Sequence, residues 1–176
     1  MAKGTNGGNW TIRVEDHSAE TLKDLEAAKE RILESWGQLG VTNAVDIITA
    51  ASRIDTDAMR GSFSHQVQKS EDAVYVGSPI SYAKFHEWGT GTHHDSSDGK
   101  QGRKGWWVYV PGDTGHQVGN GKVYSKEEAL KIMFALRAKG LDARITQGVK
   151  PLHMLKNGIG DHISDFKRIA EDELKK

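Results

Sequence analysis

Ten of this chain's twenty glycines fall between Gly77 and Gly121. Glycine has no Cβ and concentrates where a backbone turns sharply or adopts a left-handed conformation. The clustering therefore divides the sequence into two better-patterned flanks around a loop-rich middle. Glycine makes up about 11% of the whole, against a usual ~7%. With 176 residues the chain has one ordinary domain's length, enough to remove roughly two-thirds of the unfolded surface from water. Residues 1–176 are read as a single domain.

In the N-terminal flank, residues 1–17 read as a flexible or edge segment containing Trp10, Ile12 and Val14. Ser18 is placed to cap a helix whose Leu22, Leu25, Ala28, Ile32, Leu33 and Trp36 recur at helical spacing, with Gly37 or Gly40 as its stop. A second helix fits residues 42–52, with Thr42 as its cap. Residues 63–69 and 73–77 alternate as strands joined by a turn over 69–72, and residues 81–88 read as a third strand. Residues 89–105 carry mostly Gly, Ser, Thr, His, Asp and Lys and read as a long mobile loop. A fourth strand over 106–110 is apolar on both faces, Trp106, Val108 and Val110 on one and Trp107 and Tyr109 on the other. Such a strand lies inside a covered sheet or presents one face to another subunit.

Ser125-Lys126-Glu127-Glu128 is a capping box. It predicts a helix to about Lys139, with Leu130, Met133, Phe134 and Leu136 inward and Gly140 as the left-handed stop. Residues 141–146 allow a short strand. Pro151 then suits the first turn of a helix, whose Leu152, Leu155, Ile159, Ile163, Phe166, Ala170 and Leu174 form a stripe to the end. The fold class expected is α+β: a small, mainly antiparallel sheet packed by N-terminal helices and a long C-terminal helix.

The chemistry is narrowed by what is absent. Lys plus Arg and Asp plus Glu each number 24, so the formal net charge is zero, which argues against holding DNA or RNA by an overall field. There is no cysteine, which removes disulfides, thiolate metal sites and thiol catalysis. No apolar run approaches the ~20 residues of a membrane span, and the first ten residues lack a signal-peptide core, so a soluble protein made in the cytoplasm is expected.

His86, Glu87, His93 and His94 are the candidate residues for a small metal-dependent hydrolase or nuclease. A zincin helix needs His, Glu and a second His four positions after the first, but Thr90 stands there. Gly119-Asn120-Gly121-Lys122 lacks the first glycine and the hydroxyl of a phosphate loop. Gly89-Thr90-Gly91-Thr92 lacks the third glycine of a dinucleotide site. No nucleophile elbow surrounds Ser62 or Ser64. Lys100, Arg103 and Lys104 precede two tryptophans, a weak pattern for nucleic-acid contact. No cofactor or metal site is expected.

Taken in order, several segments carry a family resemblance. Asp55-Thr56-Asp57-Ala58-Met59-Arg60-Gly61-Ser62 is followed by Val74-Tyr75-Val76-Gly77, Tyr82-Ala83 and Glu87-Trp88-Gly89-Thr90-Gly91. Gly148-Val149-Lys150-Pro151 then leads to Leu152-His153-Met154-Leu155. This order resembles the neck or tail-completion family of tailed bacteriophages, the head-tail joining minor proteins of lambdoid siphoviruses and related prophages. The matching positions are Asp55, Thr56, Arg60, Ser62, Tyr82, Glu87, Gly89, Thr90 and Pro151. The family's usual proline before Asp55 is missing, and Asp57 and Met59 replace its glycine and leucine. Residues 106–140 look like an insertion carried by a subset of the family.

The resemblance implies a non-enzymatic virion component at the neck or top of the tail, made in the host cytoplasm. It would form a ring of its own copies between head-completion or adaptor proteins and tail terminator or tube proteins, without sequence-specific nucleic-acid or membrane binding. Trp88, Trp106, Trp107 and Tyr109 are the candidate interface residues. Alone, the chain is expected to be monomeric or heterogeneous, since ordering a long loop opposes assembly.

Overall fold

The computed structural model describes residues 15–51, 57–111, 118–119 and 121–176. Among these it is an α+β structure with six α-helices and two separate two-stranded antiparallel sheets, in place of the single sheet expected. The expected edge segment up to Val14, and the motif residues Asp55 and Thr56, lie outside the described residues.

The two N-terminal helices expected are one helix, α1 (Ser18–Ala50). It runs through Gly37 and Gly40 because both face the neighbouring hairpin. A Cβ on Gly37 would stand 2.3 Å from the His65 ring, and one on Gly40 would stand 3.0 Å from Val76. The glycines let the hairpin approach, and that packing outweighs their cost of about 1 kcal/mol each relative to alanine. Neither expected cap acts as one. The Ser18 amide donates to Asp16 Oδ1, and Thr42 lies inside the helix with its hydroxyl donating to the Gln38 carbonyl. Leu22 and Leu25 are exposed rather than inward.

The short helix α2 (Asp57–Arg60) precedes the hairpin β1 (Ser64–Gln68) and β2 (Ala73–Gly77), whose antiparallel register places His65 opposite Val76. The turn between them is tied to α1 by Lys69 to Glu30 at 2.6 Å and Lys29 to Asp72 at 2.8 Å. The expected third strand is instead a helix, α3 (Ala83–Trp88). Its polar and apolar residues alternate, but burial follows the helical repeat: Ala83 and Glu87 are buried while Phe85, which a strand would place with them, is 48% exposed.

Residues 89–105 hold a hydrogen-bonded framework rather than an open loop. It has single 3-10 turns at Gly91–His93 and Ser96–Asp98, and the Asp95 amide donates to the Trp88 carbonyl at 2.7 Å. Strand β3 (Trp107–Tyr109) and helix α4 (Lys126–Arg137) follow, and β4 (Arg144–Thr146) pairs antiparallel with β3. Val108, Ala129, Met133 and Ala143 form a core here, with Trp106 and Val110 packed on it. The capping box at Ser125 and Glu128 is present in both directions. Phe134 faces solvent, against expectation.

The single C-terminal helix expected is two, α5 (Met154–Gly160) and α6 (Ile163–Glu173). Pro151 stands before α5 rather than in its first turn, and His153 takes the N-cap position with φ +52°. The break shifts the apolar face, so Ile159, Ile163 and Leu174 are exposed. Helix α5 lies against α1, where the Asn43 side-chain amide donates to the Gly158 carbonyl at 2.8 Å. Helix α6 is held by Trp36, whose indole N–H donates to the Phe166 carbonyl at 2.8 Å. A second core, of Ala44, Ile48, Met59, Phe63, Ala83 and Met154, joins α1, α2, α3 and α5.

Candidate functional site

The C-terminal end of α3 is laced to the segment that enters α5. A helix leaves its first amides without intrahelical partners, and His153 at the N-cap of α5 provides no side-chain bond. Glu87 supplies it instead: Oε2 accepts from the Leu155 amide at 2.9 Å and Oε1 from the Lys156 amide at 3.0 Å. Glu87 is 6% exposed, so both oxygens are satisfied by backbone in a buried setting. Around it the Leu152 amide donates to the His86 carbonyl, the Thr90 amide donates to the Val149 carbonyl, and the Val149 amide donates to Thr90 Oγ1.

The crossing depends on glycine. A Cβ on Gly91 would stand 1.8 Å from the Gln147 carbonyl oxygen and 2.5 Å from the Trp107 ring, and one on Gly148 would stand 1.9 Å from the Thr90 oxygen. Both have positive φ, +63° and +123°. Gly102 approaches as closely: its Cβ would be 2.0 Å from the Gly91 oxygen.

Beside this junction is an open cleft of about 970 Å³ between α3, the 89–105 loop and the β3–β4 pair. Tyr82, Phe85 and Trp88 line it from the α3 side, and Trp107 and Tyr109 from β3. Lys84, Lys100 and Arg103 also line it and are exposed. Asp98 is its one carboxylate, and that group is engaged by His94 Nε2 at 3.0 Å and by the Lys100 amide at 2.9 Å. His94 Nδ1 contacts the Gly89 carbonyl oxygen at 3.1 Å. With an oxygen acceptor at each ring nitrogen, the imidazolium is favoured. The Gly89 carbonyl, and then Asp98, hold the His94 pKa above its ordinary value although burial opposes this. Burial pushes the Asp98 carboxyl up, but the Lys100 amide and His94 together bring it below the usual range. Next to it, Asp95 is held at about 2 by the Ser97 amide and then by Lys156.

Comparison with protein-family models, with curated proteins and with solved structures finds no match to this chain.

Of the candidate interface residues, Trp88, Trp107 and Tyr109 come together in the cleft, whereas Trp106 belongs to the core under α4. Among the family-motif positions, Tyr82, Gly89 and Thr90 also line the cleft, and Glu87 and Pro151 stand in the adjoining junction. Arg60 ends α2, and the Ser62 hydroxyl meets the Met59 carbonyl and Ser78 Oγ. The four metal-site candidates do not converge: Glu87 is occupied by α5, His94 by Asp98 and Gly89. Among the described residues, no group of three or more His, Asp or Glu side chains is arranged to hold a metal ion. No described helix is long and apolar enough to cross a membrane.

Sequence patterning missed three things: Glu87 as a helix cap, Asn43 as a buried interhelical donor, and Lys84 and Phe85 as cleft residues. For Asn43 a signal existed, a lone amide among the apolar positions of a helix. For Glu87 there was none, because its partners lie in a distant segment.

Proposed function

We propose that this chain is a non-enzymatic structural subunit of a tailed phage or prophage virion. It acts as a neck, head-tail connector or tail-completion protein that assembles as a ring between head-completion and tail proteins. The observation that carries this reading is the meeting of the motifs behind the resemblance. Glu87, Gly89 and Thr90 of one motif bond to, or pack directly on, Val149, Pro151 and Leu155 of the other, and Glu87 also accepts from the Lys156 amide just beyond it. Their polar groups are spent on backbone, which suits a scaffold that must hold its shape under neighbours' contacts better than a site that must release protons or bind a metal. The aromatic cleft beside them supplies apolar area of the kind found at the centre of protein interfaces.

The reading is tested in particles from a phage lysate carrying this gene. The chain is expected in purified virions at ring-like copy number, and its deletion is expected to leave filled heads and tails unjoined. Its absence from particles, together with unchanged infectivity of the deletion, would overturn the proposal. Native mass spectrometry of the isolated chain is expected to show monomer or a mixture, with rings forming once the neighbouring components are added.

A further inference from the structure

We infer that the cleft between α3, the 89–105 loop and β3 receives an acidic peptide segment of a partner protein, its carboxylates on Lys84, Lys100 and Arg103 and an apolar side chain against the aromatic walls. The inference concerns the chemistry of the cleft and does not rest on the virion reading. Three exposed cations line it, and among the described residues no carboxylate is in salt-bridge contact with any of them. Arg103 spends one donor on the Gly121 carbonyl at 3.0 Å, and Lys84 lies 5.2 Å from the Phe85 ring centre, so both are positioned rather than trailing in solvent. The single acid, Asp98, is bonded to His94 and the Lys100 amide, and although its charge is felt by Lys100 it makes no salt bridge to the three cations.

Charge complementarity selects the occupant. The chain as a whole is balanced, 24 cationic against 24 anionic side chains. With no net charge to draw a polyanion over distance, the three cations of the cleft suit a short acidic segment rather than a long polyanion held by a broad field. A second copy offers no matching run. The longest acidic stretch of this chain, Glu171 to Glu173, is already bonded through Asp172 to Lys175 and through Glu173 to Arg31 and Lys176. The aromatic lining gives the segment something to bury besides its charges. The glycine contacts at Gly91 and Gly102 fix the loop without a ligand, so little ordering cost falls on binding.

The test uses the full chain and a synthetic twelve-residue peptide alternating Glu and Phe, read by fluorescence anisotropy of a label on the peptide. Its charge-swapped Lys-Phe twin and a labelled oligothymidylate of equal length are run alongside, and sedimentation reports self-association. The Glu peptide is expected to bind at least about tenfold more tightly than its twin, to weaken with salt, and to lose about tenfold or more in the variant carrying Lys100→Glu and Arg103→Glu. Both side chains are exposed and the one bond lost, from Arg103 to the Gly121 carbonyl, is at the surface, so the variant's thermal melt should lie close to that of the parent. Equal binding of the two peptides, tighter binding of the oligonucleotide, indifference to the charge reversal, or a self-associated chain that excludes the peptide would each overturn the inference.

Discussion

Glu87 caps α5 at Leu155, a residue 68 positions further along the chain, with its Oε2 2.9 Å from the Leu155 amide nitrogen. A job usually done by the residue just before a helix is done here from the end of another helix. The bond therefore couples α3 to α5, and through them the cleft to the core on α1.

Removing that carboxylate should be costly. Glu87→Ala strands the Leu155 and Lys156 amides in a buried site and is expected to lower the unfolding free energy by about 2–4 kcal/mol. Glu87→Gln keeps one acceptor oxygen and should cost roughly half as much. Urea unfolding measures both, and an alanine variant within about 0.5 kcal/mol of the parent would show that Glu87 is not the cap that matters.

The glycines of the middle segment should divide by surroundings rather than by φ. Gly91→Ala meets the Gln147 carbonyl and the Trp107 ring and is expected to cost about 3 kcal/mol or more, strain and overpacking together. Gly99 has φ +78° but open space around its Cβ position, so Gly99→Ala should cost only about 1 kcal/mol. Equal melting temperatures for the two variants would contradict the close approach at Gly91.

His94 should titrate above an ordinary imidazole, and Asp98→Asn should bring it down; two-dimensional NMR of the ring protons reads both. The sign of the linkage follows. A pKa raised in the fold gives stability that is complete below the unfolded value and is lost as pH rises through the raised one. Asp95, held at about 2, acts oppositely: its contribution is present above the usual carboxylate range and is lost as pH falls toward 2. Their joint stabilisation of the loop should therefore plateau between about pH 4 and pH 6.5. His94 titrating at or below its ordinary value would refute the arrangement.

Asn43→Ala should loosen α5 from α1. It leaves the Gly158 carbonyl without its side-chain donor and opens a small space, for an expected loss of about 1–3 kcal/mol. Hydrogen exchange should quicken in α5 before it does in β3 and β4, which belong to the other core. Uniform quickening across both cores would argue against a local role.

What could be read in the chain alone was what depends on near neighbours. Ser125 and Glu128 are three residues apart, so their capping box is written in one short segment. The alternation of residues 63–69 and 73–77 likewise marked the hairpin, whereas the two-faced strand left both of its faces open, and packing put Val108 inside and Trp107 and Tyr109 on the cleft. The α+β class follows from such local signals. Elsewhere the local pattern allowed two answers and packing chose between them. Residues 81–88 alternate like a strand, yet they form α3, which buries Ala83 and Glu87 together. Gly37 and Gly40 look like helix stops, but inside α1 they make room for His65 and Val76. Of the glycines that suggested a loose middle, Gly91 and Gly102 are points where two backbones touch. Each of these outcomes rests on a contact with a residue far off in sequence, whose energy no local periodicity records, and only the folded chain brings the two sides together.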